Sequence, residues 1–298
     1  MEPIVVDNLR TGSQEMVRWG PFVRGVVSDV DLVRSILREY AIDAVIHFAG
    51  SAYVGESVAE PRLYFANNVV STLALLDAML DVGVNHIVFS SSCTVYGVPG
   101  AIPITEDHPK CAISPYGESK LFVERTLHWY GRAYGLSWAA LRYFNAAGAD
   151  PDGEIGELHE PETHLIPLTI LAALGRRSHV EIWGTDYLTR DGTAIRDYVH
   201  VSDLARAHVL ALQHLLSGRD SLALNLGTGN GLSVRDVIRV VQTVSGLPVP
   251  VLNAERRAGD PPALVADPSR AREALGWEPV HSLPESIVQT ALRWHTAH

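Results

Sequence analysis

The sequence predicts an α/β protein: a doubly wound parallel sheet in the first half, then a smaller mixed α/β lobe. Three observations carry that prediction. Short apolar runs alternate with longer amphipathic stretches, the pattern of buried parallel strands covered by helices on both faces. The runs end in Asp7, Phe48-Ala49-Gly50, Ser90-Ser91-Ser92 and Tyr143-Phe144-Asn145, which are polar, small or aromatic, as suits the carboxyl edge where such sheets bind ligands. After Asn145 the texture changes to a stretch rich in Gly, Pro, Asp and Glu without periodicity.

Taken in order, Ile4-Val5-Val6 reads as a strand, 31–40 as a helix, 44–48 as a strand, 61–80 as a helix and 86–90 as a strand. A long helix over 116–134 and a strand over 138–142 follow. The segment 146–164 reads as loop. Strands at 180–183, 222–226 and 249–252 and helices at 165–174, 201–216 and 234–244 complete the reading. The expected division is a cofactor domain over 1–145 and a substrate lobe over 146–298, with some segments returning to the large sheet.

The 298 residues are 47% hydrophobic and carry 24 basic against 34 acidic side chains, a formal net charge of −10. A chain of this length buries roughly three quarters of its unfolded surface. The acidic balance and the lack of a basic block make the chain a poor candidate for a nucleic-acid binder, whose affinity rests on neutralising phosphates. Two cysteines, Cys93 and Cys111, exclude a disulfide scaffold and fit a reducing compartment. The longest apolar candidate, 69–89, is interrupted by Asp77, Asp81, Asn85 and His86, so no membrane span is expected. The start, MEPIVVDNLR, lacks the basic and apolar regions of a signal peptide. A soluble, cytoplasmic protein is the expectation.

Ser-Pro-Tyr-Gly-Glu-Ser-Lys is the strongest local signal. It sets Tyr116 and Lys120 four apart at a helix start, hence on one face. A tyrosine acting as a base near neutrality needs its pKa lowered by about 3 units, or roughly 4 kcal/mol. An ammonium about 4.5 Å away at an effective dielectric of about 20 supplies on the order of 3–4 kcal/mol. Alone, Tyr-x-x-x-Lys is common, and a surface lysine lying on an aromatic ring is the ordinary explanation. The context changes the balance. Phe89 to Gly97 ends a strand in a cluster of hydroxyls, and Ser92 or Thr94 there can hydrogen-bond the oxygen whose proton Tyr116 removes.

With these runs in place, the chain resembles the extended short-chain dehydrogenase/reductases, and within them the UDP-galactose (UDP-glucose) 4-epimerases. The matching runs are Val6-Asp7-Asn8-Leu9, His47-Phe48-Ala49-Gly50, Val54-Gly55-Glu56-Ser57, Asn67-Asn68, the Ser90 to Gly97 run and Ser114 to Lys120. They continue through Arg142-Tyr143-Phe144-Asn145, Gly192 to Val201, Asn225-Leu226-Gly227-Thr228-Gly229 and Arg256-Arg257-Ala258-Gly259-Asp260. They cover nearly the whole chain in the family's order.

The resemblance implies a Rossmann-like domain that binds NAD. It implies that Asp7 holds the adenosine ribose, that Asn8, Val27, Phe48, Ala49, Gly50, Asn68, Ser90 and Tyr143 line the cofactor, and that Lys120 touches the nicotinamide ribose. It assigns Ser92, Asn145, Leu165, Trp183, Arg196, Arg257, Asp260 and Leu264 to the UDP-sugar; two arginines suit a pyrophosphate as permanent multi-donor cations. The implied reaction is epimerisation at C4 of a UDP-hexose, with Tyr116, Lys120, Ser92 and Thr94 catalytic. A homodimer packed through the 61–80 and 116–134 helices is implied as well.

The sequence departs from the family at its start, where members carry roughly 30 further residues with a strand and a glycine-rich turn for the pyrophosphate. Either the working protein begins further upstream or this is a short form without activity. The intact downstream positions favour the first, and the chain as given is expected to bind NAD weakly and turn over little. Gly227-Thr228-Gly229-Asn230-Gly231 reads as a tight turn into a helix rather than a replacement. Val26 stands where many members place an adenine-binding Asp, and Ser51-Ala52-Tyr53 where a Lys is frequent. Leu264 replaces a frequent Tyr, which leaves N-acetylated sugars open.

His159 and His164 are five apart with Pro161 between them, so they cannot share a helix face, and no metal site is expected. Cys93 lacks a His or Asn partner at nucleophile spacing and reads as packing. The Cys93-Thr94-Val95 stretch argues against a 4,6-dehydratase, which carries an Asp-Glu pair there. The remaining alternatives are epimerases of UDP-N-acetylhexosamine, UDP-arabinose or UDP-glucuronate, or a catalytically impaired nucleotide-sugar-binding module.

Overall fold

A computed structural model describes residues 1–257 and 260–298; Ala258 and Gly259, part of the run expected to grip the UDP-sugar, lie outside the described residues. In chain order the elements are β1 (Val5–Asp7), β2 (Phe22–Arg24), α1 (Val30–Glu39), β3 (Val45–His47), α2 (Val54–Ala59), α3 (Pro61–Tyr64), α4 (Ser71–Val82), β4 (His86–Ser92), α5 (Pro115–Tyr134) and β5 (Ser137–Tyr143). They continue with β6 (Asn145–Ala147), α6 (Leu165–Ala173), β7 (Val180–Trp183), β8 (Ile195–His200), α7 (Val201–Leu216), β9 (Leu222–Leu226), β10 (Gly231–Ser233) and α8 (Val234–Ser245). The last are β11 (Val251–Ala254), β12 (Ala263–Leu264), α9 (Ser269–Leu275) and α10 (Pro284–Ala297).

The chain forms two compact units. The first comprises Met1–Val98, Pro109–Arg142 and His208–Leu224; the second comprises Pro99–His108, Tyr143–Ala207 and Asn225–His298. The chain therefore leaves the first unit at 142, and it also contributes 99–108 to the second unit and 208–224 to the first.

In the first unit β1 and β2 form a parallel pair, and a separate four-stranded sheet runs β3-β4-β5-β9, with β3 and β4 parallel. The core lies between strand β4 and the helices: Ile87 and Phe89 meet Val33 and Leu37 of α1, Leu75, Leu76 and Met79 of α4, and Val123 and Leu127 of α5. α5 is defined at both ends. The Ser114 hydroxyl accepts the Gly117 N–H at 3.1 Å and Pro115 occupies the first turn, while Gly135 closes the helix at φ 73°.

Phe65–Val70 is a π-helical turn that joins α3 to α4. The resulting helix, Pro61–Val82, passes a membrane-span test by length and composition alone, as core helices also do. Part of its apolar face packs into the core, where Leu76, Ala78 and Met79 are fully enclosed. In the second unit β8 is the hub: it pairs with β6 and β12 in parallel and with β10 antiparallel, while β7 and β11 form a parallel pair of their own. Ile166 and Ile170 of α6, Val237 and Val241 of α8 and Ile287 and Val288 of α10 build its core.

Most expected elements are found within two residues of their positions. The strand expected at 249–252 is shifted to Val251–Ala254. The segment 146–164 is not all loop, since its first residues belong to β6. The glycine-rich run at 227–231 does not enter a helix directly, because β10 intervenes before α8.

A buried ion pair joins α5 to β5. Arg142 grips Glu124 through two hydrogen bonds of 2.8 and 2.6 Å and donates to the Tyr96 hydroxyl at 2.8 Å, while Ser91 donates to Glu124 at 2.6 Å. Both charged side chains are about 5% exposed, at 4% and 6%. Removing one partner strands the other charge in the interior. Arg142→Met is therefore expected to cost about 3–5 kcal/mol, and combining it with Glu124→Met to recover a large part of that. Urea unfolding of the three variants measures both quantities.

Candidate functional site

The first unit assembles its candidate catalytic groups at the start of α5. Gly117 makes the approach possible: a Cβ there would stand 2.8 Å from the Thr94 carbonyl oxygen, so only glycine lets α5 rest on the Cys93–Tyr96 turn. Tyr116 and Lys120 are thereby brought to the turn that carries Ser92 and Thr94. Thr94 donates its hydroxyl to Ser92 Oγ at 3.0 Å, and its N–H reaches the same oxygen at 3.2 Å.

Lys120 is buried, donates Nζ–H to the Ser90 carbonyl at 2.8 Å, and lies 4.9 Å from the Phe89 ring centre and 5.8 Å from that of Tyr116. Burial pulls its pKa down to about 8, which still leaves the ammonium predominant at pH 7. The half-buried Tyr116 ring meets Tyr64 edge-on at 6.3 Å. Tyr64 is itself held by donating to Glu56 at 2.7 Å and accepting the Tyr53 N–H at 2.9 Å.

The candidate cofactor residues fall into two groups. Phe48, Ala49 and Gly50 are exposed at the end of β3, with Phe48 against the His208 ring at 4.7 Å. Asn68, on the π-helical turn, is buried; it accepts the Ser51 N–H at 2.7 Å and donates to the Ser51 carbonyl and the Ser119 hydroxyl, each at 3.0 Å. A Cβ on Gly50 would come 3.1 Å from Asn68 Oδ1 and 3.7 Å from Lys120 Nζ, so the backbone there lies bare beside both side chains. This open strand edge, lined by a bare glycine, an amide and an ammonium, fits a nicotinamide ribose.

Asp7 ends β1 of the two-stranded sheet, Asn8 follows it, and Val27 lies in the turn between β2 and α1. The exposed Asp7 carboxylate accepts the Leu9 N–H at 2.6 Å, and Asn8 accepts that of Arg10 at 3.0 Å, which leaves further acceptor capacity on Asp7 for ribose hydroxyls. Ser90 contributes its carbonyl to Lys120, and Tyr143 is the last residue of β5.

In the second unit Asn145, Arg196, Asp260 and Leu264 gather around β8. Arg196 pairs with Asp260, and Leu264 of β12 lies in register beside Arg196. The Arg257 guanidinium sits 4.7 Å over the Trp183 ring. Asn145 pairs with Tyr198 across β6 and β8 and donates to the Asp197 carbonyl at 3.0 Å. Leu165 opens α6.

Sequence reasoning missed Ser51 and Ser119, which orient Asn68, and Asp197, which no pattern marks beyond its place between Arg196 and Tyr198. The Asp197 side chain is fully buried and receives the Thr228 N–H and hydroxyl at 2.9 and 2.7 Å, the Gly229 N–H at 3.1 Å and the Ala266 N–H at 3.2 Å. Burial pushes this carboxyl up while those donors pull it back. Gly227 has no room for a side chain, since a Cβ would lie 2.3 Å from that of Ala266. Cys93 is buried and Cys111 exposed, and neither is in a disulfide. His159 and His164 lie outside any helix and share no helix face, as expected, and the loop brings their rings to a centre separation of 5.1 Å.

A doubly wound α/β unit with a Tyr-Lys pair beside a hydroxyl turn defines a class of nicotinamide-dependent enzymes. Residues 1–227 match the model of the NAD dependent epimerase/dehydratase family, and the chain belongs to that family. It is 48% identical over 295 residues to the UDP-glucose 4-epimerase of Rhizobium meliloti (strain 1021), covering 99% of this chain and 90% of that protein. The crystal structure of UDP-glucose 4-epimerase from Brucella ovis in complex with NAD superposes with a TM-score of 0.96 at 53% identity, covering 98% of this chain and 90% of that one. The Bifidobacterium longum UDP-glucose 4-epimerase in complex with NAD+ and UDP gives 0.94 at 40% identity, covering 100% and 91%.

Behind the site, His47 is buried with Nε2 2.8 Å from the Thr72 hydroxyl oxygen. Burial, reinforced by the Lys120 charge, lowers its pKa to about 3. The unfolded chain, with an ordinary pKa of about 6.5, binds this proton more readily. Stability from His47 is thus complete above pH 6.5 and is lost as pH falls from there towards 3, by on the order of 4–5 kcal/mol. Unfolding free energies measured across that window should show a shallower acid slope for His47→Gln than for the wild type.

Proposed function

We infer that the chain is an NAD-dependent UDP-hexose 4-epimerase that interconverts UDP-glucose and UDP-galactose through a 4-keto sugar. The observation that carries this is the docking of Tyr116 and Lys120 onto the Ser92–Thr94 turn, in a chain with near-complete coverage by UDP-glucose 4-epimerases. Bound NAD supplies reversible hydride exchange at C4 of the sugar.

In this reading the chain's own groups do the rest. Tyr116, as phenolate, accepts the proton of the sugar 4-hydroxyl and returns it after the ketose has turned over, so no net oxidation occurs. Lys120 holds that phenolate charge by Coulomb attraction while its Nζ is fixed on the Ser90 carbonyl. Ser92 and Thr94, already hydrogen-bonded to each other, share the reacting oxygen. The first unit carries Asp7 and Asn8 for the adenosine ribose, Val27 alongside, and Phe48 to Gly50, Asn68 and Ser90 along the rest of the NAD site, and Tyr143, which ends β5, is a further NAD contact in this reading. The second unit carries the UDP-sugar site, with Arg196 and Arg257 for the pyrophosphate and Asn145, Leu165, Trp183, Asp260 and Leu264 around them. Leu264, beside Arg196, also leaves N-acetylated sugars as substrates to be assayed.

Tyr116→Phe is expected to lower kcat by at least about a hundredfold while UDP binding, followed by calorimetry, is retained. A Tyr116→Phe enzyme with the wild-type rate overturns the mechanism.

A cytoplasmic homodimer completes the reading. Phe122 and Trp129, seven residues apart on α5, together with Phe65 and Val70 of the long helix, are exposed apolar side chains suited to pairing with a second copy. Trp129→Glu is expected to halve the mass seen by light scattering; an unchanged mass would remove α5 from the interface.

A further inference from the structure

We propose that Glu157, His159, Glu162 and His164 form a binding site for one divalent transition-metal ion of the zinc class. Each offers one ligand atom, and the four atoms lie within 4.8 Å of one another. Two ring nitrogens converge on a single oxygen: His159 Nδ1 is 2.9 Å from Glu157 Oε1, and His164 Nδ1 is hydrogen-bonded to the same atom. Glu162 Oε1 stands 3.6 Å from His164 Nδ1. Two ligand atoms each about 2 Å from a tetrahedral zinc ion are about 3.3 Å apart, so the cluster needs shifts of roughly 1 Å or less to close on the metal.

The donor chemistry selects the ion. Two imidazole nitrogens and two carboxylate oxygens suit zinc and its first-row neighbours, whereas calcium and magnesium call for an oxygen shell. Two carboxylates with neutral imidazoles carry a charge of −2, which a divalent cation cancels. The four side chains come from eight consecutive residues, so the site costs little chain entropy to close.

The segment is also held in place by groups that do not ligate. The Glu157 carbonyl accepts the Trp294 indole N–H at 2.9 Å, and Gly156 lies so close to that indole that a Cβ would be 2.3 Å from it. Glu162 Oε1 accepts the Thr163 and His164 N–H groups at 2.6 and 2.7 Å, which fixes its carboxylate. Supporting hydrogen bonds of this kind orient ligands in known metal sites. His164 directly precedes α6, so the ion would tie the 157–164 loop to the start of that helix.

The test uses the untagged full chain, stripped with a chelator and titrated with Zn(II) against a chromophoric competitor, with Co(II) as a spectroscopic probe. The expected result is one equivalent per chain, visible bands of four-coordinate Co(II), and a thermal midpoint raised by a few degrees in zinc. His164→Ala and, separately, the gentler His159→Gln are each expected to weaken Zn(II) binding at least about a hundredfold and to abolish the thermal shift, with circular dichroism confirming that both fold. Failure of the wild type to bind one equivalent, or unchanged binding in His159→Gln, overturns the proposal.

Discussion

The inner face of α5 is the constraint on which the first unit depends. Lys120 and Glu124, one helical turn apart, both reach the end of β4: one through the Ser90 carbonyl, the other through the Ser91 hydroxyl. Arg142 then ties β5 to the same carboxylate. A buried pair of this sort returns little net stability, because desolvation cancels most of the attraction. What it does fix is register. Sliding α5 along β4 by even one residue would leave a charge without its partner, so Tyr116 is held over the hydroxyl turn with little tolerance.

That arrangement explains how ordinary residues acquire unusual chemistry. Lys120 is enclosed by Phe89, the Ser90 carbonyl and the Asn68 neighbourhood, and the enclosure that lowers its proton affinity also raises the effect of its charge on nearby groups. His47 pays the same burial penalty, deepened by the Lys120 charge, and stays neutral behind the same wall. The π-helical turn at Phe65–Val70 belongs to this design, since it carries Asn68, whose amide both accepts from and donates to the Ser51 backbone.

Legibility in the sequence followed from the length and regularity of each element. α5 and α7, with 20 and 16 residues, carry enough helical turns for their caps and apolar faces to be read directly. The three-residue strands β6 and β10 and the two-residue β12 are too short to show a period, and they pair only because β8 is there to receive them. The helices α9 and α10 were not assigned at all. Tyr116 and Lys120 stood out because a helix turns their spacing into proximity. Ser51, Ser119 and Asp197 did not, because their partners are 17 to 69 residues away in the chain. The approach of the two histidines around Pro161 is invisible to spacing for a related reason, since a loop and not a helix face brings their rings together.

The glycine-rich turn after β9 has a consequence of its own. Its N–H groups point inward, as they do in turns that cradle phosphate, but Asp197 already fills the place of the anion. The chain thus carries a resident counterion, covalently attached and impossible to dialyse away. Free phosphate and nucleotides meet no vacant cradle at this turn, because its inward N–H groups already have a carboxylate acceptor.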